Sequence, residues 1–487
     1  MRVPILVLVG GLALYLVSMA PTVLWGDDAE LQRIVITGEQ RTIGQSGEAS
    51  HLLWLWTARA FVLATSSLPL DAAGRTNLVS ALFGTVTLPF AYGAAAELAR
   101  GYTTRWRAAG LAAAAALALS HTFWLFSARP DAYSLQTALL TCAAWALLRW
   151  RRSGGVWALG VAAAAVLGAL LNHVMILASG FGLAGLALTA PRERRRELSF
   201  AILLALVGGA AALLAAGAAG VPLGDLAGAV LRYRATPPSL RELASVPAYL
   251  LYQFPLSIAL AAVGLVWLAR RDSGLLAGIG LLYLGNAALV LGRLASVRDD
   301  FVFLLPSYVP VALLAGLGAA AALPRLGTLA VAGIVAAPVV VYPTASATAG
   351  ALAARFTSAR QLPGRDPVGY YLLPPKTGYL GARRFADSAF AVLERDAVLV
   401  SDWLPYQPLR YAQAVEGARP DVRLEMINAG NGAQLTFLTD QQRRTVPPPL
   451  YLADASPMPY YELDEIWRCF AITPQPPVYR LEWTGAC

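Results

Sequence analysis

Apolar runs of roughly 17 to 23 residues, long enough to cross ~30 Å of hydrocarbon, recur through the first two thirds of the chain between short polar connections. The pattern predicts spans at roughly 3–21, 75–98, 108–127, 132–148, 154–171, 174–190, 198–219, 247–269, 274–292, 301–322 and 327–343, about eleven helices. One further apolar stretch, "SHLLWLWTARAFVLATS" (50–66), is ambiguous. Counting it as a span reverses the sidedness of everything downstream. It therefore reads as an amphipathic helix in the outer interface, its three aromatics and Arg59 at the headgroup boundary; a true span or re-entrant helix is the alternative.

From about residue 344 the apolar runs shorten while proline and charge rise. "DAVLVSD" (396–402) reads as a buried strand, "PYQPLRYAQAVEG" (405–417) as a helix ended by Gly417, and "DVRLEMI" (421–427) as a second strand, a βαβ unit. "PLYLAD" (449–454) and "PVYRLEW" (477–483) read as further strands. The expected architecture is a polytopic α-helical membrane domain, 1–343, with an outer first loop, 22–74, followed by an extracytoplasmic α/β domain, 344–487.

Composition supports the membrane class: 57% of the 487 residues are hydrophobic, only 14% are charged, and the mean hydropathy is +0.55. The first run resembles a signal peptide followed by "APTVLW", but the many later spans favour a retained helix. The net charge of +9 does not point to nucleic acid, because the arginines sit in short loops between apolar runs. With Arg2 inside, the inner connections are "RGYTTRWR" (100–107), "RWRRSGG" (149–155), "PRERRRE" (191–197), "RRDSG" (270–274) and "LPRLG" (323–327), all basic. All basic residues but Lys376 are arginine, and alanine and glycine abound; base composition accounts for that without a mechanism. Cys142 lies inside a span and reads as a small hydrophobe. Cys469 and Cys487 share the outer domain, where a disulfide is permitted, although the terminal position of Cys487 argues against it.

This parity sorts the polar chemistry to the outer side. "LWGDDAEL" (24–31) places Asp27, Asp28 and Glu30 at the mouth of the first span. Acids are ordinary helix-start residues, but one of three clustered carboxylates can also serve as a general base tuned by its neighbours. "FWLFSARPDAYSLQTALL" (123–140) sets Arg129 and Asp131 about a proline, as a solvated turn or as charges held for use so near hydrocarbon. Asn172 and His173 end a span in "LGALLNHVMIL" (167–177), and a histidine in such a place is more often a packing residue than a ligand. No HxxxH, HExxH or CxxC spacing occurs, so a histidine-built metal site is not expected. The acidic cluster leaves Mg²⁺ or Mn²⁺ open. Arg232, Arg234, Arg293 and Arg298 lie in outer loops against the charge bias, suited to phosphate. There is no P-loop, dinucleotide fingerprint or GxSxG.

Together "LWGDDAEL", "FWLFSARPDAYSLQTALL", "GALLNHVMIL", "RDDFVFLLPSYVPVALLAGLG" and "YAQAVEGARPDV" resemble the GT-C-type membrane glycosyltransferase family that includes animal protein O-mannosyltransferases and many bacterial members. The family's "DSGEF" pattern maps its two acids onto Asp27 and Glu30, with Asp28 and Ala29 between. Its "W…EVYxLN" maps onto Trp124, Asp131, Tyr133, Leu135 and Gln136, and its "GxxxNH" onto Gly168, Asn172 and His173. Asp131 stands for Glu, Gln136 for Asn, and "GEASHLL" (47–53) for the family's "HPPGYPL", a change that alters that part of the cleft. The resemblance implies transfer of a sugar from a polyprenyl-phosphate carrier to an acceptor on the outer face of a bacterial-style inner membrane, with inversion. In it Asp27 is the base, Glu30 and Asp131 orient the acceptor or tune Asp27, and Asp28, Tyr133, Asn172 and His173 contact substrate. Charge and topology alone add Arg129, Arg293 and Arg298 as phosphate-binding candidates. "DWLPYQ" (402–407) follows a strand, where α/β domains place ligand contacts, though ordinary turn chemistry explains it as well. A lipid or glycolipid transporter is the rival class, against which stand the ionisable residues gathered at one interface and the lack of an inverted repeat. A noncatalytic scaffold is the third.

Overall fold

The structure is a computed structural model that describes residues 2–39, 51–173, 175–194, 196–199, 209–210, 214, 217, 239–291, 300–356, 360, 362–366 and 368–487. The chain is helical with one small C-terminal sheet, and it divides into two compact units. Most of the predicted span 198–219, and Arg232, Arg234, Arg293 and Arg298 of the two predicted outer loops, fall outside the described residues.

The first unit comprises Met1–Met19, Gln40–Thr57 and Leu78–Ala345. In chain order the helices up to Phe356, of which α2 belongs to the second unit, are α1 (Arg2–Ser18), α2 (Asp27–Thr37), α3 (Leu52–Ala64), α4 (Ala72–Arg100), α5 (Trp106–Ala118), α6 (His121–Ser127), α7 (Tyr133–Ser153), α8 (Val156–Asn172), α9 (Ile176–Leu188), α10 (Leu240–Gln253), α11 (Ser257–Ala269), α12 (Ser273–Leu291), α13 (Leu305–Ala336) and α14 (Pro338–Phe356). Among the described residues three helical stretches are long and apolar enough to cross a membrane, or up to five if each of two bent pairs counts as one span. Four shorter apolar helices, α1, α3, α8 and α9, accompany them.

The bent pairs correct two predicted spans. The run 108–127 is broken between α5 and α6, which meet at 67°, and the run 247–269 between α10 and α11, at 106°. The second break has a local cause: Pro255 has no N–H to continue the ladder and Leu256 sits at φ 60°. The two breaks are tied together. The Thr122 N–H donates to Gln253 Oε1 at 2.8 Å, Gln253 Nε2 donates to Thr122 Oγ1 at 2.5 Å, and the Tyr342 hydroxyl donates to the Gln253 carbonyl at 3.0 Å. Polar side chains thereby satisfy the backbone groups that broken helices release inside apolar surroundings.

Glycine has a packing role that the reading as mere base composition missed. A Cβ on Gly318 of α13 would lie 1.8 Å from the Leu260 carbonyl of α11, and one on Gly264 of α11 would lie 1.9 Å from the Leu314 carbonyl. Only hydrogen at both positions lets these backbones touch, the close approach that small residues permit between helices in lipid.

The basic connections predicted to share a side do meet at one end of this unit. Glu97, its side chain 5% exposed, receives Arg100 at 3.0 Å, Arg149 at 3.2 Å and Arg152. Arg151 pairs with Asp272 at 2.6 Å and donates from Nε to the Thr189 carbonyl, while Arg194 donates to the carbonyl of Arg151 at 2.8 Å. Residues 97–107, 149–154, 189–194 and 270–274 therefore hold one another by charge and by capping the last carbonyls of α7.

The second unit comprises Ala20–Glu39, Ala58–Asn77 and Ser346–Cys487. Its sheet contains β1 (Val398–Ser401), β2 (Arg423–Met426), β3 (Leu450–Leu452), β4 (Phe470–Gln475) and β5 (Val478–Trp483), in the order β2-β1-β3-β5-β4. β1 pairs in parallel with β2 and β3, whereas β5 is antiparallel to β3 and β4. The four residues of β1 are buried on both faces, as a central parallel strand requires. Leu399 faces a core with Phe385, Leu409 and Tyr451; Val398 and Val400 face another with Leu438, Ile466 and Phe470. The helices are α15 (Gly381–Val392), α16 (Trp403–Glu416), α17 (Ala433–Gln442) and α18 (Leu463–Cys469). α16 joins β1 to β2 as the predicted βαβ unit and ends at Gly417, φ 69°. β4, which carries Pro474, was not predicted; it is an edge strand, the place where a sheet tolerates proline.

Cys469 and Cys487 form a disulfide, their Cα atoms 5.3 Å apart. It closes a loop of 18 residues around the β4–β5 hairpin, for which the chain-entropy account gives about 3 kcal/mol. A Cys469→Ser protein is expected to lose roughly that stability in urea unfolding under oxidising conditions. Reductant should bring the parent protein down to the same curve; a parent curve indifferent to reductant would mean that the bond contributes nothing.

Candidate functional site

The acidic stretch opens α2, and it packs within the second unit together with residues more than 300 positions later. Gly26 precedes the helix at φ 56°, a backbone that L side chains rarely adopt, and its N–H donates to the Leu404 carbonyl at 3.3 Å. Gln32, fully buried in α2, accepts from the Leu24 N–H at 3.2 Å and donates to Asn77 Oδ1 at 2.7 Å; Asn77 in turn donates to the Ala20 and Thr22 carbonyls. At the far end Gly38 takes φ 76° and Arg59 donates to the Val35 and Ile36 carbonyls at 3.0 and 2.9 Å. Arg59 thus caps a helix, where the sequence reading put it at lipid headgroups.

This frame presents the three acids differently. Asp27 is exposed, and its Oδ1 accepts from the Trp403 indole at 2.7 Å. Asp28 is 2% exposed and its Oδ2 accepts from the Tyr370 hydroxyl at 3.2 Å. Glu30 is 7% exposed. Lys376, the chain's single lysine, is buried beside the same tyrosine: its Nζ donates to the Tyr370 carbonyl at 2.8 Å and the Leu373 carbonyl at 2.5 Å, and sits 4.9 Å from the Tyr370 ring centroid. Tyr379 adds a neutral contact. Burial pushes its hydroxyl up to about 12, and it accepts from the Trp25 indole at 2.6 Å.

A second polar cluster lies within the first unit. Asp131 starts the turn into α7: its Oδ1 accepts from the Tyr133 N–H at 3.0 Å, and Ser80 Oγ bonds both its N–H and its carbonyl at 2.9 and 3.0 Å. Asn172 donates to the Ala132 carbonyl at 3.0 Å and to Gln136 Oε1 at 3.1 Å. His173 Nδ1 accepts from the Met175 N–H at 3.1 Å. His51 stacks on His173 with ring centroids 5.1 Å apart, and Tyr133 lies 5.4 Å from His173. Arg129, 7% exposed, places its guanidinium 4.3 Å from the Phe126 ring centroid.

The structure therefore brings together Asp131, Tyr133, Asn172, His173 and, from the same stretch, Arg129 in one unit, and Asp27, Asp28 and Glu30 in the other. Arg293 and Arg298 lie outside the described residues. Sequence reasoning missed Tyr370, Lys376 and His51, and it reached Trp403 only as part of "DWLPYQ", straight after β1. Among the described residues no three His, Cys, Asp or Glu side chains converge as metal ligands.

Against solved structures the chain matches ArnT from Cupriavidus metallidurans in two crystal structures. With the form bound to undecaprenyl phosphate it shares 13% identity at a TM-score of 0.62, covering 98% of this chain and 97% of that one. With the apo form the values are 16% and 0.56 at the same coverage. The fold is that of a GT-C membrane glycosyltransferase. Residues 51–196 match the family model described as the protein O-mannosyl-transferase TMEM260 N-terminal domain, which bears out the resemblance to the GT-C-type family read from the residues. No curated protein matches the chain.

Proposed function

We propose that the protein is an inverting glycosyltransferase that moves a monosaccharide from a polyprenyl-phosphate-linked donor to an acceptor hydroxyl on a protein, lipid or glycan. The observation that carries this reading is the exposed Asp27 carboxylate, oriented by Trp403 at the start of α2, with Asp28 and Glu30 buried beside it. An acid that must meet an incoming hydroxyl has to be both accessible and aimed. The fold shared with an ArnT crystallised with undecaprenyl phosphate supports the donor class.

In the proposed step Asp27 takes the acceptor proton while the hydroxyl oxygen attacks the anomeric carbon. The bond from that carbon to the phosphate oxygen breaks, its electron pair leaves with the lipid phosphate, and the configuration inverts. The leaving phosphate needs no protonation but needs cations, the role assigned to Arg129, Arg293 and Arg298. Glu30 and Asp131 are assigned to orienting the acceptor, and Asp28, Tyr133, Asn172 and His173 to substrate contact. The reaction is assigned to the outer face of a bacterial inner membrane, with residues from 344 as the outer α/β domain. The Cys469–Cys487 disulfide supports this side, because such bonds persist in oxidising compartments.

The test uses purified protein, a panel of synthetic polyprenyl-phosphate monosaccharides and a membrane extract as acceptor source. One donor should be consumed, with free polyprenyl phosphate released in step with sugar transferred. Neither binding nor consumption of any donor would sink the reading.

A further inference from the structure

We infer that the basic end of the first unit holds an anionic phospholipid, in a cavity of about 870 Å³ formed by α11, α13 and the connection that leads into α5. Arg105, just before α5, Arg270 and Arg271, just after α11, and Arg325 of α13 line its polar side. All four are exposed, and among the described residues none has a carboxylate within ion-pair distance. The acid nearest in sequence, Asp272, is already engaged by Arg151 at 2.6 Å and the Tyr102 hydroxyl at 2.8 Å. Arg271 is held in place, its guanidinium 4.1 Å from the Trp267 ring centroid and its Nη1 donating to the Trp267 carbonyl at 3.2 Å.

Four cations lining one cavity repel one another, and an anion set among them relieves that repulsion. The other side of the cavity tells what kind of anion. Val263, Val266 and Leu326 line it and are 44%, 47% and 49% exposed. A free phosphate gains nothing from that surface, whereas a phospholipid sets its phosphodiester among the arginines and its acyl chains along the valines and leucine. Basic pockets between membrane helices take anionic headgroups in this way. None of the residues proposed for catalysis lines the cavity, so the inference stands apart from the transferase reading.

Native mass spectrometry of the detergent-solubilised protein tests it, with dioleoyl phosphatidylglycerol, dioleoyl phosphatidylcholine and glycerol 1-phosphate as probes. Phosphatidylglycerol should be retained over phosphatidylcholine, and R270Q/R325Q should lower its retention roughly tenfold without changing that of phosphatidylcholine. Both positions are exposed, so the variant should melt with the parent in lipid-free detergent. Glycerol 1-phosphate should not displace the lipid. Equal retention of the two lipids, equal phosphatidylglycerol retention by parent and a folded variant, or displacement by glycerol 1-phosphate would each overturn the proposal.

Discussion

Asp27→Asn is expected to lower the turnover of sugar transfer by about 10²- to 10⁴-fold, the usual contribution of a positioned general base, with donor affinity nearly unchanged. Asparagine has the same shape and keeps an Oδ1 to accept the Trp403 indole that lies 2.7 Å from Asp27. It cannot take the acceptor's proton. Because Asp27 is exposed and its contact to Trp403 survives, the variant should unfold at the parent's temperature, which separates loss of chemistry from loss of fold. Trp403→Phe asks a finer question, since it keeps the acid and removes the bond that aims it. Its turnover should fall by less than that of Asp27→Asn. A folded Asp27→Asn protein retaining more than about a tenth of parental turnover would move the base to another residue.

The contrast between Asp27 and Asp131 marks where sequence reasoning ends. Asp27 was legible as an acid at a helix start and Asp131 as one beside a proline in a turn between spans, and the motifs around them named the GT-C class that the fold bears out. A sequence cannot tell a carboxylate held by the backbone from one left open. Asp131 accepts from the Tyr133 N–H, while Asp27 is exposed and accepts from an indole 376 positions away. The βαβ unit was readable because "DAVLVSD" is a short continuous apolar run, "DVRLEMI" alternates, and Gly417 stops the helix between them. β4 was not, because an edge strand can carry proline and still pair. The breaks at 119–120 and 254–256 were hidden for a different reason: hydropathy averages over a bend, and Thr122 and Gln253 satisfy each other only in three dimensions. Likewise the close backbone contact at Gly264 and Gly318 leaves no trace in hydropathy.

Arg360→Met should destabilise the second unit by about 3–5 kcal/mol, the cost of stranding buried carboxylates by removing their partner. Arg360, its side chain 5% exposed, lies between Asp402 and Asp454. It grips Asp402 with two parallel bonds, Nη1 to Oδ2 at 2.7 Å and Nη2 to Oδ1 at 2.5 Å, and donates from Nε to Asp454 Oδ2 at 3.1 Å. Its guanidinium stands 4.2 Å from the Tyr460 ring centroid. Burial alone would disfavour the charge, but the two acids outweigh it and hold the guanidinium more firmly protonated than in water. Methionine fills a similar volume and offers neither charge nor donor, leaving both acids without their cation. Asp402 is also the residue before Trp403, at the N-cap of α16. Loosening it should misplace the indole that aims Asp27, so transfer at temperatures below the lowered melting point should fall as well. Adding Asp402→Asn and Asp454→Asn to Arg360→Met removes the stranded charges and should recover part of the lost stability in thermal unfolding. Equal melting temperatures for the single and triple variants would show that the charges are not what the arginine stabilises, and would leave its packing on Tyr460 as the cause.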